Sequence, residues 1–160
     1  MGSDSDLDRL SGCLDTLREL EIEFEARVLS AHRTPERVVE FVRGAPRHGI
    51  GVFVCAAGGA AHLAGVVAAH TDRPVLGIPM ANPPFGGMDA LLATVQMPAG
   101  VPVASLAAGG GGAVNAALFA ARILALADDA LAGRLRRFAE AQTEAVLEKD
   151  RRLQQRLGGG

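Results

Sequence analysis

The chain has no tryptophan and no tyrosine, and phenylalanine supplies all of its 4% aromatic content. Its core bulk must therefore come from Ala, Val and Leu, in a chain of 160 residues that is 49% hydrophobic. That suffices for one domain with a full core. There is no basic run, and the formal net charge is -2, which argues against a nucleic-acid or membrane-surface partner. Cys13 and Cys55 form neither a close pair nor a metal-type spacing, and both are expected as buried, reduced thiols of a cytoplasmic protein. No apolar run is expected to span a bilayer, because Gly, Pro, His or Asn breaks each long one, and no signal peptide is expected. The chain also lacks a Walker loop, a Gly-x-Gly-x-x-Gly fingerprint, a His/Cys/Asp cluster at metal spacing and a serine placed as a nucleophile elbow. What remains is chemistry that needs proton transfer and no metal or cofactor.

The stretch that is present and rich in chemistry is Ser30-Ala31-His32-Arg33-Thr34-Pro35. Before it, residues 24–29 alternate with strand-forming side chains. After it, Val38, Val39, Phe41 and Val42 recur at helical spacing, with Thr34 suited to the N-cap and Pro35 to the first helical position. The six residues thus read as a strand-to-helix turn. The pattern repeats along the chain. A helix is expected from about 7 to 20, a strand at 24–29, a helix at 35–44 and a strand at 51–56. A helix from 62 to 70, a strand at 74–79, a helix at 88–95 and a strand at 101–106 follow, then helices at 114–126 and 129–155. Alternation with short connections predicts an α/β fold, a parallel sheet with helices on both faces. One domain is expected over 1–157, with 158–160 as a disordered tail.

A doubly wound domain normally opens with a central strand that leads into its first phosphate loop. Here that loop opens the sequence. In the strand order 2-1-3-4-5 the absent strand lies between 24–29 and 51–56. About 5–10 residues, one strand's length, are therefore expected ahead of Met1; the alternative is a neighbouring chain or a rearranged sheet.

Three turns carry candidate chemistry. In Gly2-Ser3-Asp4-Ser5-Asp6, Ser3 and Ser5 can donate to phosphate oxygens beside helix N–H groups. Asp6 reads equally as a helix cap or as an acceptor for ribose hydroxyls. In the second turn Arg33 can clamp a phosphate and His32 can exchange a proton; the plainer reading is two solvated loop side chains. In Ala57-Gly58-Gly59-Ala60-Ala61-His62, small residues leave room for a flat ligand against the backbone, or else mark a tight helix–sheet contact. His62 on its own reads more readily as structural than catalytic. The glycine run at 109–112 reads as a further loop, and Asn115 as a cleft or capping residue.

Met-Gly-Ser-Asp-Ser-Asp at 1–6, Ser-Ala-His-Arg-Thr-Pro at 30–35, Ala-Gly-Gly-Ala-Ala-His-Leu at 57–63, Gln-Met-Pro at 96–98 and Asn-Ala-Ala-Leu at 115–118 occur in that order. Together they resemble the N5-carboxyaminoimidazole ribonucleotide mutases of class I, from de novo purine synthesis. The resemblance implies a flavodoxin-like three-layer fold, assembly as an octamer, and transfer of a carboxylate from an exocyclic nitrogen to ring carbon C4 without metal, cofactor or ATP. It implies that Ser3, Asp6 and Arg33 bind the ribonucleotide, that Ser30 lies near the phosphate and that His32 is catalytic. It further implies that Gly58, Gly59, Ala60, His62 and Leu63 face the base and the migrating carbon dioxide. The sequence departs from the family pattern at Ala64, where proline is usual, at 110–112 and at 82–85. The alternatives are the class II relatives, which carboxylate aminoimidazole ribonucleotide directly, a carboxylase of another nucleotide, and a nucleotide-sensing module with no use for His32.

Overall fold

The computed structural model describes residues 1–158; of the expected tail, positions 159 and 160 lie outside the described residues. Three parallel strands form one sheet in the order β1 (Phe53–Ala57), β2 (Val75–Pro79), β3 (Ala104–Ser105). Phe53 stands opposite Val75, and Leu76 opposite Ala104. Every residue of β2 is buried, as expected for a strand covered on both faces.

Strand periodicity splits the core into two layers. Ala56 and Ile78 face Cys13 and Leu17 of α1 (Ser11–Glu19) and Ala113, Ala116 and Ala117 of α5 (Gly110–Leu124). Phe53, Cys55 and Val75 face Val38 and Val42 of α2 (Pro35–Gly44) and Leu63, Ala64 and Val67 of α3 (Leu63–Ala68). On that second face Gly77 lies so close to Thr94 of α4 (Met88–Val95) that an added Cβ would stand 2.3 Å from its Cγ2. Burying side chains such as Leu76 and Ile78 contributes about 1.5–3 kcal/mol each. Burial also pushes the thiol of Cys13 up to about 11 and that of Cys55 up to about 12. Neither is therefore a thiolate at neutral pH.

Several expectations are corrected. Segment 24–29 is not a strand of the sheet, because no long neighbour lies beside it to complete a ladder. Instead, the Met1 amino group donates to the Arg27 carbonyl (2.9 Å), and the Leu29 N–H donates to the Met1 carbonyl (2.9 Å). The Gly2 N–H donates to the Ala56 carbonyl (3.0 Å). Met1 and Gly2 thus lie between 24–29 and β1, where the order 2-1-3-4-5 puts its first strand. Of the strand expected at 101–106, only Ala104–Ser105 pairs. The first helix opens as 3-10 turns, Asp4–Asp6 and Asp8–Leu10, before α1.

Thr34 occupies the N-cap position of α2 without a side-chain cap bond; its hydroxyl is engaged with Ser30 instead. The glycine run is not a loop but the first turn of α5. Gly112 is needed there because a Cβ would stand 1.6 Å from the Ala107 carbonyl oxygen. Asn115 is exposed within that helix and caps nothing. Residues Gly110–Ala127 are, by length and mean hydropathy of 1.5, apolar enough to cross a membrane, against expectation. In this fold that stretch is a core helix whose alanine face packs on α1 and the sheet. The last helix, α6 (Asp129–Leu157), is capped by Asp128, whose carboxylate accepts from the Leu131 N–H at 2.9 Å.

Candidate active site

The three chemistry-bearing turns meet at the carboxyl ends of the strands, where open α/β sheets place their ligands. The first is folded by Ser3, which caps the turn at Asp4–Asp6 by accepting from the Ser5 N–H at 3.3 Å. The Ser5 hydroxyl also donates to Ser3 Oγ at 2.9 Å. The cap is thus Ser3 rather than Asp6. Asp6 is buried and its carboxylate makes no hydrogen bond or ion pair among the described residues. Burial raises its pKa, with the Met1 amino group and Arg9 opposing the rise.

The second turn is closed by its own hydroxyls. Ser30 Oγ accepts from the Arg33 N–H (3.1 Å), and Thr34 Oγ1 accepts from the Ser30 N–H (3.0 Å). These bonds hold the loop, so His32 and Arg33 project from a fixed backbone. The Arg33 guanidinium reaches across to the first turn and donates to the Gly2 carbonyl at 3.4 Å. Across the third turn, His32 Nε2 lies 2.8 Å from His62 Nδ1, with the rings edge to face at 4.9 Å between centroids.

The third turn leaves β1 at Gly58. A Cβ there would stand 2.4 Å from Asn82 Nδ2, so a larger residue would displace that amide. Gly59 turns the chain at φ 62, a conformation that favours glycine. His62 sits at the N-cap position of α3, one step ahead of the helical turn expected for it.

Together these residues line a cavity of about 450 Å³, a size typical of small-molecule sites. Ser3, Asp6, Ser30, His32 and Arg33 line it, as do Gly58, Ala60, His62 and Leu63. Of the expected set only Gly59 does not, since its part is to bend the backbone. Asn82, just beyond β2, also lines the cavity and was not among the expected residues. Its side-chain oxygen accepts from Arg9, which also donates to the Ala81 carbonyl at 3.1 Å. Its signal was positional, a polar residue right after a buried strand. Among the described residues, no group of His, Cys, Asp and Glu could hold a metal ion. The cavity therefore offers a guanidinium and serine hydroxyls for an anion, paired imidazoles for a proton and a bare backbone wall for a flat ring.

Residues 1–145 match the family model described as AIR carboxylase. The chain belongs to the AIR carboxylase family. It is 54% identical over 149 residues to the N5-carboxyaminoimidazole ribonucleotide mutase of Brucella melitensis, covering 93% of this chain and 92% of that protein. It is 46% identical over 153 residues to the enzyme of the same name from Bacillus subtilis, with 96% and 94% covered. The crystal structure of Treponema denticola PurE matches with a TM-score of 0.84 at 28% identity, covering 96% of this chain and 94% of that one. The α/β architecture of this AIR carboxylase family member is accordingly flavodoxin-like.

Proposed function

We infer that the chain is an N5-carboxyaminoimidazole ribonucleotide mutase, an isomerase of purine biosynthesis. Curated relatives at 46–54% identity over most of the chain carry that name. The geometric observation that carries the reading is the 2.8 Å contact of His32 with His62, in the cavity that Arg33 and Ser3 also line. A proton carrier, an anion clamp and a small-residue wall share one crevice.

The reaction on this reading balances without an external reagent. His32 as imidazolium protonates the exocyclic nitrogen, the N–C bond to the carboxylate breaks, and carbon dioxide leaves. The electron-rich ring then attacks carbon dioxide through C4, and neutral His32 removes the C4 proton. One proton is lent and recovered, so substrate and product are isomers. The Gly58 and Ala60 wall presents no side chain beyond a methyl, so the carbon dioxide lies against bare backbone beside the ring. Arg33, Ser3 and Ser30 hold the phosphate end, and Asp6 accepts from ribose hydroxyls. That remote binding orients the ring against His32. No cofactor or metal enters these steps.

The enzyme on this reading is cytoplasmic, has no nucleic-acid or membrane partner and works as a homo-octamer. The family description also names a carboxylase of aminoimidazole ribonucleotide, so one assay tests both. The carboxyamino substrate, and separately aminoimidazole ribonucleotide with bicarbonate, are offered and the C4 carboxylate is followed. Rapid turnover of the first alone is expected. Preferential turnover of the second would make the chain a carboxylase, and binding without turnover of either would make it a nucleotide-binding module.

A further inference from the structure

Asn82 lines the active-site cavity, yet no step of the carboxyl transfer described above uses it. Its backbone is held on both sides. Pro83 follows it and restricts it to extended conformations, and its N–H donates to the Met80 carbonyl at 3.0 Å. Its side chain is held by Arg9. One guanidinium nitrogen, Nη1, donates to the Ala81 carbonyl at 3.1 Å and to Asn82 Oδ1 at 2.5 Å. A guanidinium has donors and no acceptor. The amide oxygen must therefore face Arg9, and the amide nitrogen must face away from it. On that other side stands Gly58, where an added Cβ would lie 2.4 Å from Asn82 Nδ2. Among the described residues Nδ2 has no hydrogen-bond partner. Two N–H donors are thus fixed beside the bare backbone wall of the cavity.

The order of the chain segments separates this amide from the anion clamp. Segment 24–29, Met1–Gly2, β1 and β2 lie side by side in that order. Arg33 follows the first of the four and Asn82 follows the last. Three spacings of about 4.8 Å put their backbones roughly 14 Å apart. A carboxylated ribonucleotide brings two anionic groups, its phosphate and its carboxylate. On the mutase reading Arg33, Ser3 and Ser30 take the phosphate, and the imidazoles handle the proton. The Ser5 hydroxyl already donates to Ser3 Oγ at 2.9 Å. That leaves Asn82 as the unengaged side-chain donor lining the cavity. A carboxylate stripped of water without a donor is strongly disfavoured. A neutral amide answers that need more gently than a cation, whose stronger charge-assisted bond would oppose the release of carbon dioxide.

We propose that Asn82 is a specificity-determining residue, its Nδ2 donating to the carboxylate of the nucleotide, with Arg9 as the positioning residue that turns the amide toward the cavity. The proposal rests on the mutase reading and adds to it the group that recognises the migrating carboxylate.

The test compares two ligands that differ only in that carboxylate. Titration calorimetry of the full chain is run with aminoimidazole ribonucleotide and with its 4-carboxylate. Asn82→Ala is expected to bind the 4-carboxylate at least tenfold more weakly, as for a hydrogen bond to a charged group. It is expected to bind aminoimidazole ribonucleotide within twofold of the native chain, which also shows that the variant is folded. Arg9→Met is expected to give the same selective loss, about threefold or more, and Arg9→Lys to recover part of it. Added to Asn82→Ala, Arg9→Met is expected to cause no further loss. Equal weakening of both ligands by Asn82→Ala, or weakening of neither, would overturn the proposal and leave the mutase reading standing. A full additional loss from Arg9→Met in the Asn82→Ala background would overturn the positioning role of Arg9. A native chain that binds neither nucleotide would overturn the mutase reading and the proposal together.

Discussion

His32 and His62 share a contact whose chemistry limits both. At 2.8 Å between Nε2 and Nδ1, one nitrogen must carry the proton and the other accept it. On the mutase reading the pair works as a unit, with His62 fixing which nitrogen of His32 is free for substrate. His32→Asn is expected to lower kcat by roughly 10²–10⁴-fold, with KM within about threefold because the phosphate contacts remain. His62→Asn is expected to lower kcat about tenfold or more, and the double variant to be no worse than His32→Asn alone. Steady-state kinetics of the three variants decides it: additive losses would mean the rings act independently. Asp6 gives a prediction in pH. Burial raises its folded pKa above the unfolded value of about 3.9. Such a group contributes stability that is full below the unfolded pKa and lost as pH rises through the folded one. Asp6→Asn, always neutral, should therefore melt higher than the native chain at pH 7. The gap should close as pH falls toward about 4. The same variant should raise KM about tenfold, the loss of a hydrogen bond to a charged group.

At the scale of elements, what could be read in the residues depended on whether the deciding contact was local. Helices α2 and α4 are where their apolar spacing and their Pro35 and Gly87 openings put them. β1 and β2 are short apolar runs in which each residue reports its own burial. Segment 24–29 alternates like a strand, yet pairing depends on what lies beside it, and among the described residues only Met1 bonds to its backbone. The site was legible through its motifs, since Ser3, His32, Arg33 and Gly58 all line the cavity. Asn82 was not, because its position depends on Arg9, far away in the sequence. Thr34 has the right residue type for a cap, but Ser30 competes for its hydroxyl. The glycines at 110–112 look alike on paper and differ in space. Around Gly111 nothing lies within 4 Å of an added Cβ, whereas at Gly112 it would meet the Ala107 carbonyl oxygen at 1.6 Å. Backbone cannot swing aside as a side chain can. Gly112→Ala is thus expected to cost about 3 kcal/mol or more, a fall of roughly 6–12 °C in Tm. Gly111→Ala is expected to be neutral or to stabilise by up to about 1 kcal/mol. Thermal unfolding of the pair checks it; equal effects would mean the helix start had been placed wrongly.

At the scale of the whole molecule, α6 carries more apolar surface than one chain can cover. Leu131, Leu135 and Phe138 lie on one stripe and pack against Leu20 and Ala121. On the same helical face, eight, seven and four residues further on in turn, stand Val146, Leu153 and Leu157, which are exposed at 62%, 50% and 71%. An apolar face that runs past the end of the body it packs on fits a second copy of the same chain, which supplies an equivalent surface by symmetry. The proposed octamer gives it that partner. Light scattering after size exclusion should then report a mass several times the 16.5 kDa of one chain. Val146→Glu combined with Leu153→Glu should reduce that mass toward one or two chains. Circular dichroism should stay near that of the native chain, because neither side chain is buried within its own subunit. The substitutions lie on α6, which contributes no residue lining the active-site cavity. Turnover in the dissociated variant therefore tests whether the site is complete within one chain. A native chain that runs as a monomer, or a variant with undiminished mass, would remove the stripe's assigned partner.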